Sequence, residues 1–261
     1  MPPPEPAVLH LERDGQGPAP RLVMAHGFTQ TGRLWGPFGP ALAAGRELVR
    51  VDLPGHGGSS AVRADLEEGG ALLAAAAGGS PFDLLGYSLG ARFALHAALH
   101  RPELVRRLVL VGGTAGLDDP ADRAARRARD QELADRLERS GDLDGFLGRW
   151  MAAPMFAGLR TPDPAERRRN TPAGLASSLR LAGTGTQLPL WGRLTTLAVP
   201  TLVLAGADDP RFTTVGRRLA GVLPDAAFSL VPGAGHAAHL QQPALTARLV
   251  DQFLRAGPGP A

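Results

Sequence analysis

The pentapeptide Gly86-Tyr87-Ser88-Leu89-Gly90 constrains this chain more than any other stretch. A serine flanked two residues away on each side by glycine fits a sharp strand-to-helix turn that lifts the hydroxyl above the end of a sheet. A chain with 34 glycines meets this pattern by chance about 0.14 times, so its neighbours must decide the reading. Phe82 to Leu85 reads as a buried strand entering the turn, and Leu89 to Leu99 as a helix leaving it. A glycine-rich surface loop, the plainer alternative, predicts neither.

The alternation continues along the chain. Short apolar runs at 21–25, 47–51, 82–85, 107–111, 200–205 and 228–231 read as strands of a mainly parallel sheet. Helical patterns follow at Leu89 to Leu99, Thr214 to Leu223 and Pro243 to Leu254, the last opened by its proline. Strand alternating with helix predicts an α/β class with a doubly wound sheet. From about Asp118 to Thr196 the alternation breaks, and arginine-rich helical stretches such as Asp122 to Arg139 carry no strand. The expected organisation is therefore a core of residues 1–117 and 197–261 with a helical cap, 118–196, inserted between its halves. Pro2 to Pro6 and Gly257 to Ala261 have nothing to bury and are expected to be mobile.

A serine hydroxyl needs an imidazole to take its proton, and the imidazole needs a carboxylate to fix its tautomer. On this kind of sheet the partners follow in the order Ser, Asp, His. The strand Thr201 to Ala205 runs into Asp208 and Asp209, and Leu230-Val231-Pro232 leads through Gly233-Ala234-Gly235 to His236. Each candidate lies just past the carboxyl end of a strand, where open sheets place their sites. Either aspartate satisfies that rule. His26-Gly27-Phe28 ends the first strong strand, so the Phe28 amide can join that of Leu89 as an oxyanion donor. His10, His26, His56, His96, His100 and His239 are the competing histidines. His96 and His100 stand four apart on a helix, but the pattern lacks the accompanying glutamate and a third ligand, so packing is expected rather than a metal.

Composition narrows the function class. The 261 residues, 44% hydrophobic, suffice for one large core. The sequence pI of 10.6 points towards nucleic acid, yet the formal charge is only +3 and every basic side chain is an arginine. Arginine titrates so late that it inflates the pI, whereas the field at neutral pH follows the small net charge, and neither nucleic-acid nor membrane binding is expected. The absence of cysteine removes disulfides and thiolate chemistry. No basic segment followed by an apolar stretch opens the chain, and no apolar run approaches about 18 residues, so a cytoplasmic protein is expected.

Four stretches together resemble the α/β-hydrolase superfamily: His26-Gly27, Asp52 to Ser59 (Asp-Leu-Pro-Gly-His-Gly-Gly-Ser), the serine turn, and Gly235-His236. Within it the chain most resembles the 2-succinyl-6-hydroxy-2,4-cyclohexadiene-1-carboxylate synthase family of the menaquinone pathway. That likeness rests on Asp52 to Ser59 with its doubled glycine, on Gly86 to Arg92 ending Leu-Gly-Ala-Arg, on Gly235-His236-Ala237-Ala238-His239, and on Gly112 to Leu117 followed by Arg123, Arg126, Arg127, Arg129 and Asp130. Trp150 and Pro154-Met155-Phe156 extend it, whereas Met151, Ala152 and Ala153 depart towards less polar residues.

The resemblance implies an α/β-hydrolase fold with an inserted helical cap and a lyase that eliminates pyruvate from its substrate. It selects Asp209 over Asp208 as the acid of a Ser88, His236, Asp209 triad. Arg92 and Arg126 match positions that hold substrate carboxylates, and Tyr87 and Trp150 match pocket positions, so a small anionic carboxylate is the implied partner. No cofactor is implied, since the leaving group departs by elimination. Arg92, four residues past Ser88, should lie one turn along on the same side of its helix, where a charge is costly unless it meets an anion. Arg123, Arg127 and Arg129 read more simply as a solvated helix face. Two other readings stand beside the lyase: a serine hydrolase of small esters, thioesters or carbon–carbon bonds, and a non-catalytic receptor for a small ligand. The triad serves lyase and hydrolase alike, whereas a receptor has no need of it.

Overall fold

The computed structural model describes residues 7–159 and 164–256. The terminal segments expected to be mobile, Pro2 to Pro6 and Gly257 to Ala261, lie outside the described residues. Seven strands, β1 (Leu11–Asp14), β2 (Ala19–Ala25), β3 (Arg46–Val51), β4 (Phe82–Tyr87), β5 (Val105–Val111), β6 (Thr201–Gly206) and β7 (Ala226–Val231), form one sheet. Its order is β1-β3-β2-β4-β5-β6-β7, with β1 antiparallel and every other pairing parallel.

All six strands expected from apolar runs are present. The seventh, β1, was not among them: Leu-Glu-Arg-Asp has no apolar run because an edge strand need not be buried. Its charges instead reach neighbouring segments, Glu12 to Arg33 and Arg13 to Glu47. The central strands β4 and β6 are buried at every residue, as a sheet covered on both faces requires.

Alternate side chains of the strands supply two apolar layers. On one face Val23, Leu84, Leu108 and Val203 pack with helices α2 (Leu66–Ala76) and α3 (Leu89–His100). On the other, Leu22, Leu85, Val109 and Leu204 meet α1 (Phe38–Leu42) and, near the chain end, residues of a helix that opens at Pro243. Asp65 caps α2 through the amides of Glu67 and Glu68, while Glu68 returns a bond to the Asp65 amide.

Between β5 and β6 come α4 (Pro120–Ser140), α5 (Leu143–Met151), α6 (Pro164–Arg167), α7 (Pro172–Ala182) and α8 (Trp191–Leu194), with no strand among the described residues. Asp119 caps α4 and Gly141, at φ 62°, ends it. Only Asp130, Ala134 and Leu137 of this helix are buried, so its stability comes from one thin apolar seam against α5 and α7. Phe28 packs against both this seam and the sheet core. After β6, the described residues form α9 (Pro210–Val222), α10 (Ala238–Gln241) and α11 (Pro243–Arg255). No helix among the described residues is long and apolar enough to cross a membrane.

Candidate active site

Ser88 sits where β4 ends and α3 begins, with φ at 52°. The flanking glycines allow this turn by close approach: a Cβ on Gly90 would lie 1.9 Å from the Ala25 carbonyl oxygen, and one on Gly86 2.4 Å from that of Gly90. The Ser88 amide donates to the Val111 carbonyl at 2.9 Å, which anchors the turn to β5.

Ser88, His236 and Asp209 are hydrogen-bonded in series. His236 Nε2 stands 3.0 Å from Ser88 Oγ, and its Nδ1 3.1 Å from Asp209 Oδ2. The other Asp209 oxygen caps α9 by accepting from the Phe212 amide at 3.1 Å. Burial alone raises the Asp209 pKa, but hydrogen bonds from His236 and Phe212 outweigh it and leave the group below its ordinary value. An ionised Asp209 favours the tautomer with the proton on Nδ1, leaving Nε2 to accept from Ser88. Asp208 is exposed, and its amide is tied to the Ala234 carbonyl, so the geometry gives His236 to Asp209. Among the described residues the amides of Phe28 and Leu89 donate to no protein acceptor.

Ser88 and His236 open onto a cavity of about 470 Å³, whose wall includes Phe28, Arg92, Arg126 and Trp150. Arg92 is buried, and its Nη1 donates to the Ala182 carbonyl at 2.7 Å. No carboxylate lies within ion-pair distance of it among the described residues. Burial first, then repulsion from Arg126, lower its pKa to about 9, with Asp130 offsetting part. A cation so placed is costly until an anion reaches it. Arg126 is one-third exposed and already engaged, its Nε donating to both oxygens of Asp130 at 2.9 and 3.0 Å.

Trp150 stacks edge-on against Phe28 with ring centroids 4.9 Å apart, and its indole N–H is buried without an acceptor among the described residues. Tyr87 lies behind the serine, its ring 4.3 Å from that of His239, and borders a narrow crevice beside the main cavity. A Cβ on Gly27 would meet that ring at 2.5 Å. Of the arginines read as a solvated face, Arg127 and Arg129 are exposed, but Arg123 is half-buried and binds the carbonyls of Leu117 and Asp118. His96 is buried between α2 and α3, whereas His100 is exposed.

The sequence reading missed Arg167. It is buried, donates to Thr29 Oγ1 at 2.6 Å, and borders the crevice with Tyr87 and Trp150. Nothing in the run Arg167-Arg168-Arg169 separates the buried residue from its two exposed neighbours.

The alpha/beta hydrolase family profile matches residues 22–249. The 2-succinyl-6-hydroxy-2,4-cyclohexadiene-1-carboxylate synthase of Serratia proteamaculans (strain 568) is 35% identical, the match covering 93% of this chain and 96% of that protein. The protein of the same name from Escherichia coli O1:K1 is 33% identical, covering 95% and 99%. Among solved structures, MenH from S. aureus superposes with a TM-score of 0.86 at 27% identity, covering 94% of this chain and 98% of that one. A thermophilic esterase from Thermogutta terrifontis, at TM-score 0.79 and 23% identity over 95% and 93% of the two chains, shares the fold. With its fold, its full-length relatives and its family match in agreement, the chain belongs to the alpha/beta hydrolase family and, within it, to the 2-succinyl-6-hydroxy-2,4-cyclohexadiene-1-carboxylate synthases.

Proposed function

We propose that this enzyme is a lyase of menaquinone biosynthesis, acting in the cytoplasm. It eliminates pyruvate from 2-succinyl-5-enolpyruvyl-6-hydroxy-3-cyclohexene-1-carboxylate, with Ser88, His236 and Asp209 as the catalytic triad. The observation that carries the reading is Arg92, a buried cation that has no carboxylate partner among the described residues, on the wall of the cavity that holds Ser88 and His236. Full-length relatives of the synthase name agree with it.

In this mechanism Ser88 Oγ removes a ring proton while His236 Nε2 takes the hydroxyl proton, and Asp209 stabilises the imidazolium that forms. The electrons of the C–H bond become a new ring double bond, the pair of the existing ring double bond shifts towards the carbon that bears the enolpyruvyl oxygen, and the C–O bond to the enolpyruvyl group breaks. The departing enolate takes back a proton and tautomerises to pyruvate. The amides of Phe28 and Leu89 stabilise negative charge as it develops, each worth about 3 kcal/mol in comparable sites. Arg92 and Arg126 hold substrate carboxylates, with Arg92 able to form two parallel bonds to one. Tyr87 and Trp150 shape the pocket, and residues 118–196 act as the cap that closes it.

The hydrogen-bonded series would serve ester hydrolysis equally well, and the arginine wall is what distinguishes the lyase. The test is pyruvate release from the proposed substrate by the purified protein and by Ser88→Ala. Rapid release that the substitution abolishes supports the reading. No release from folded wild-type protein overturns it and leaves a hydrolase of other substrates.

A further inference from the structure

Among the described residues, two that are not glycine have φ in the left-handed region, Ser88 at 52° and Thr29 at 68°. The first belongs to the serine turn. The second, a β-branched residue for which that conformation is costly, directly follows Phe28 and needs something to hold it.

Thr29 is held by the helical segment between β5 and β6. Its hydroxyl accepts from Arg167 Nη1 at 2.6 Å, and its carbonyl accepts from Asn170 Nδ2 at 3.0 Å. The same Asn170 amide also donates to the Arg167 carbonyl at 2.9 Å, and its Oδ1 accepts from the Gly57 amide at 3.1 Å. In a chain without lysine this is the one asparagine, buried where a donor and an acceptor are both used. It stands just before α7, which docks on the same loop so closely that a Cβ on Gly174 would lie 2.4 Å from the Gly55 carbonyl oxygen. From the core side, Asp52 binds the amides of Gly32 and Gly58 at 2.6 and 2.7 Å. The loop carrying Phe28 is thus fixed to the sheet at one end and to the helical segment at the other.

We propose that Asn170 is a positioning residue that joins Thr29 to Gly57, so that the Phe28 amide is in place for catalysis only when the start of α7 is seated. The inference rests on the reading of Phe28 as an oxyanion donor. It makes closure of the helical segment part of assembling the site, beyond covering it.

The test compares wild type, Asn170→Ala and Asn170→Asp by pyruvate release and by the rate at which a fluorophosphonate labels Ser88. Urea unfolding of each protein is followed alongside. Asn170→Asp keeps the acceptor for Gly57 but cannot donate to Thr29, and it carries the test if Asn170→Ala does not fold. Both folded variants are expected to lose about 10- to 100-fold in kcat, with KM within about threefold of wild type, and to label more slowly by a similar factor. Wild-type kcat in Asn170→Asp, a loss confined to KM, or unchanged labelling would overturn the proposal. Labelling does not depend on the natural substrate: wild type that labels rapidly but releases no pyruvate defeats the lyase reading, and the variants' labelling rates then decide this inference separately.

Discussion

The floor and the wall of the cavity are built in different ways. The floor stands on strand ends: Ser88 after β4 and Asp209 after β6, whose amides bond the Val111 and Gly206 carbonyls, and His236 after β7, packed closely against Gly112. The opposite wall is set by side chains on helices, with Arg92 on α3, Arg126 on α4 and Trp150 on α5. The strands β4 and β6 are buried at every residue, and such packed ends suit atoms that must meet at hydrogen-bond distance. Of these helices α3 packs on the sheet, whereas α4 and α5, joined to α7 by one thin apolar seam, can change their residues without disturbing that geometry, which lets recognition vary over a constant chemistry.

If this division is right, substitutions on the floor should be more damaging than those on the wall. Ser88→Ala and His236→Ala should each lower kcat for pyruvate release about a thousandfold or more while the proteins still fold, measured by steady-state kinetics beside circular dichroism. Arg92→Ala should lower kcat/KM about a hundredfold, because the substrate loses a charge partner inside a buried site. Arg126→Ala should lower kcat/KM only about tenfold, since its guanidinium is partly exposed and already engaged by Asp130. A loss at Arg126 as large as that at Ser88 would break the comparison.

The floor also predicts a pH dependence of stability. Burial lowers the pKa of His26 to about 4, and of His56 and His239 to about 3. These rings stay neutral in the folded chain while the unfolded ones titrate near the ordinary value of about 6.5. The stability they contribute is therefore present above about pH 6.5 and lost as pH falls towards 4, at up to about 1.4 kcal/mol per pH unit for each ring. Urea midpoints should drop between pH 7 and pH 5, and His239→Phe should flatten the decline. A midpoint that does not change over that range would contradict the burial of these rings in the neutral form.

The floor was legible in the sequence because strand ends, glycines and chain order leave a periodic mark. The six apolar runs located their strands, and spacing past two of them pointed to His236 and to either Asp208 or Asp209; the resemblance chose Asp209, and it is Asp209 that bonds His236. The wall was legible mainly through resemblance. Arg92 could be reasoned from helical spacing, but Arg126 and Arg123 look alike in sequence, and one reaches Asp130 while the other binds backbone carbonyls. Arg167 and Asn170 left no sequence signal at all, because their roles depend on which loop packs against them. β1 was missed for a related reason, as a polar edge strand has no buried face to show in its pattern.

On the proposed function, the wall, and Arg92 above all, directs a general triad to lyase chemistry on a carboxylate substrate. The most direct measurement sets pyruvate release against cleavage of a nitrophenyl acetate for wild type and Arg92→Ala. The substitution is expected to cost about a hundredfold in pyruvate release and to leave ester cleavage within about threefold. Equal losses in both reactions, or no loss in either, would contradict that reading.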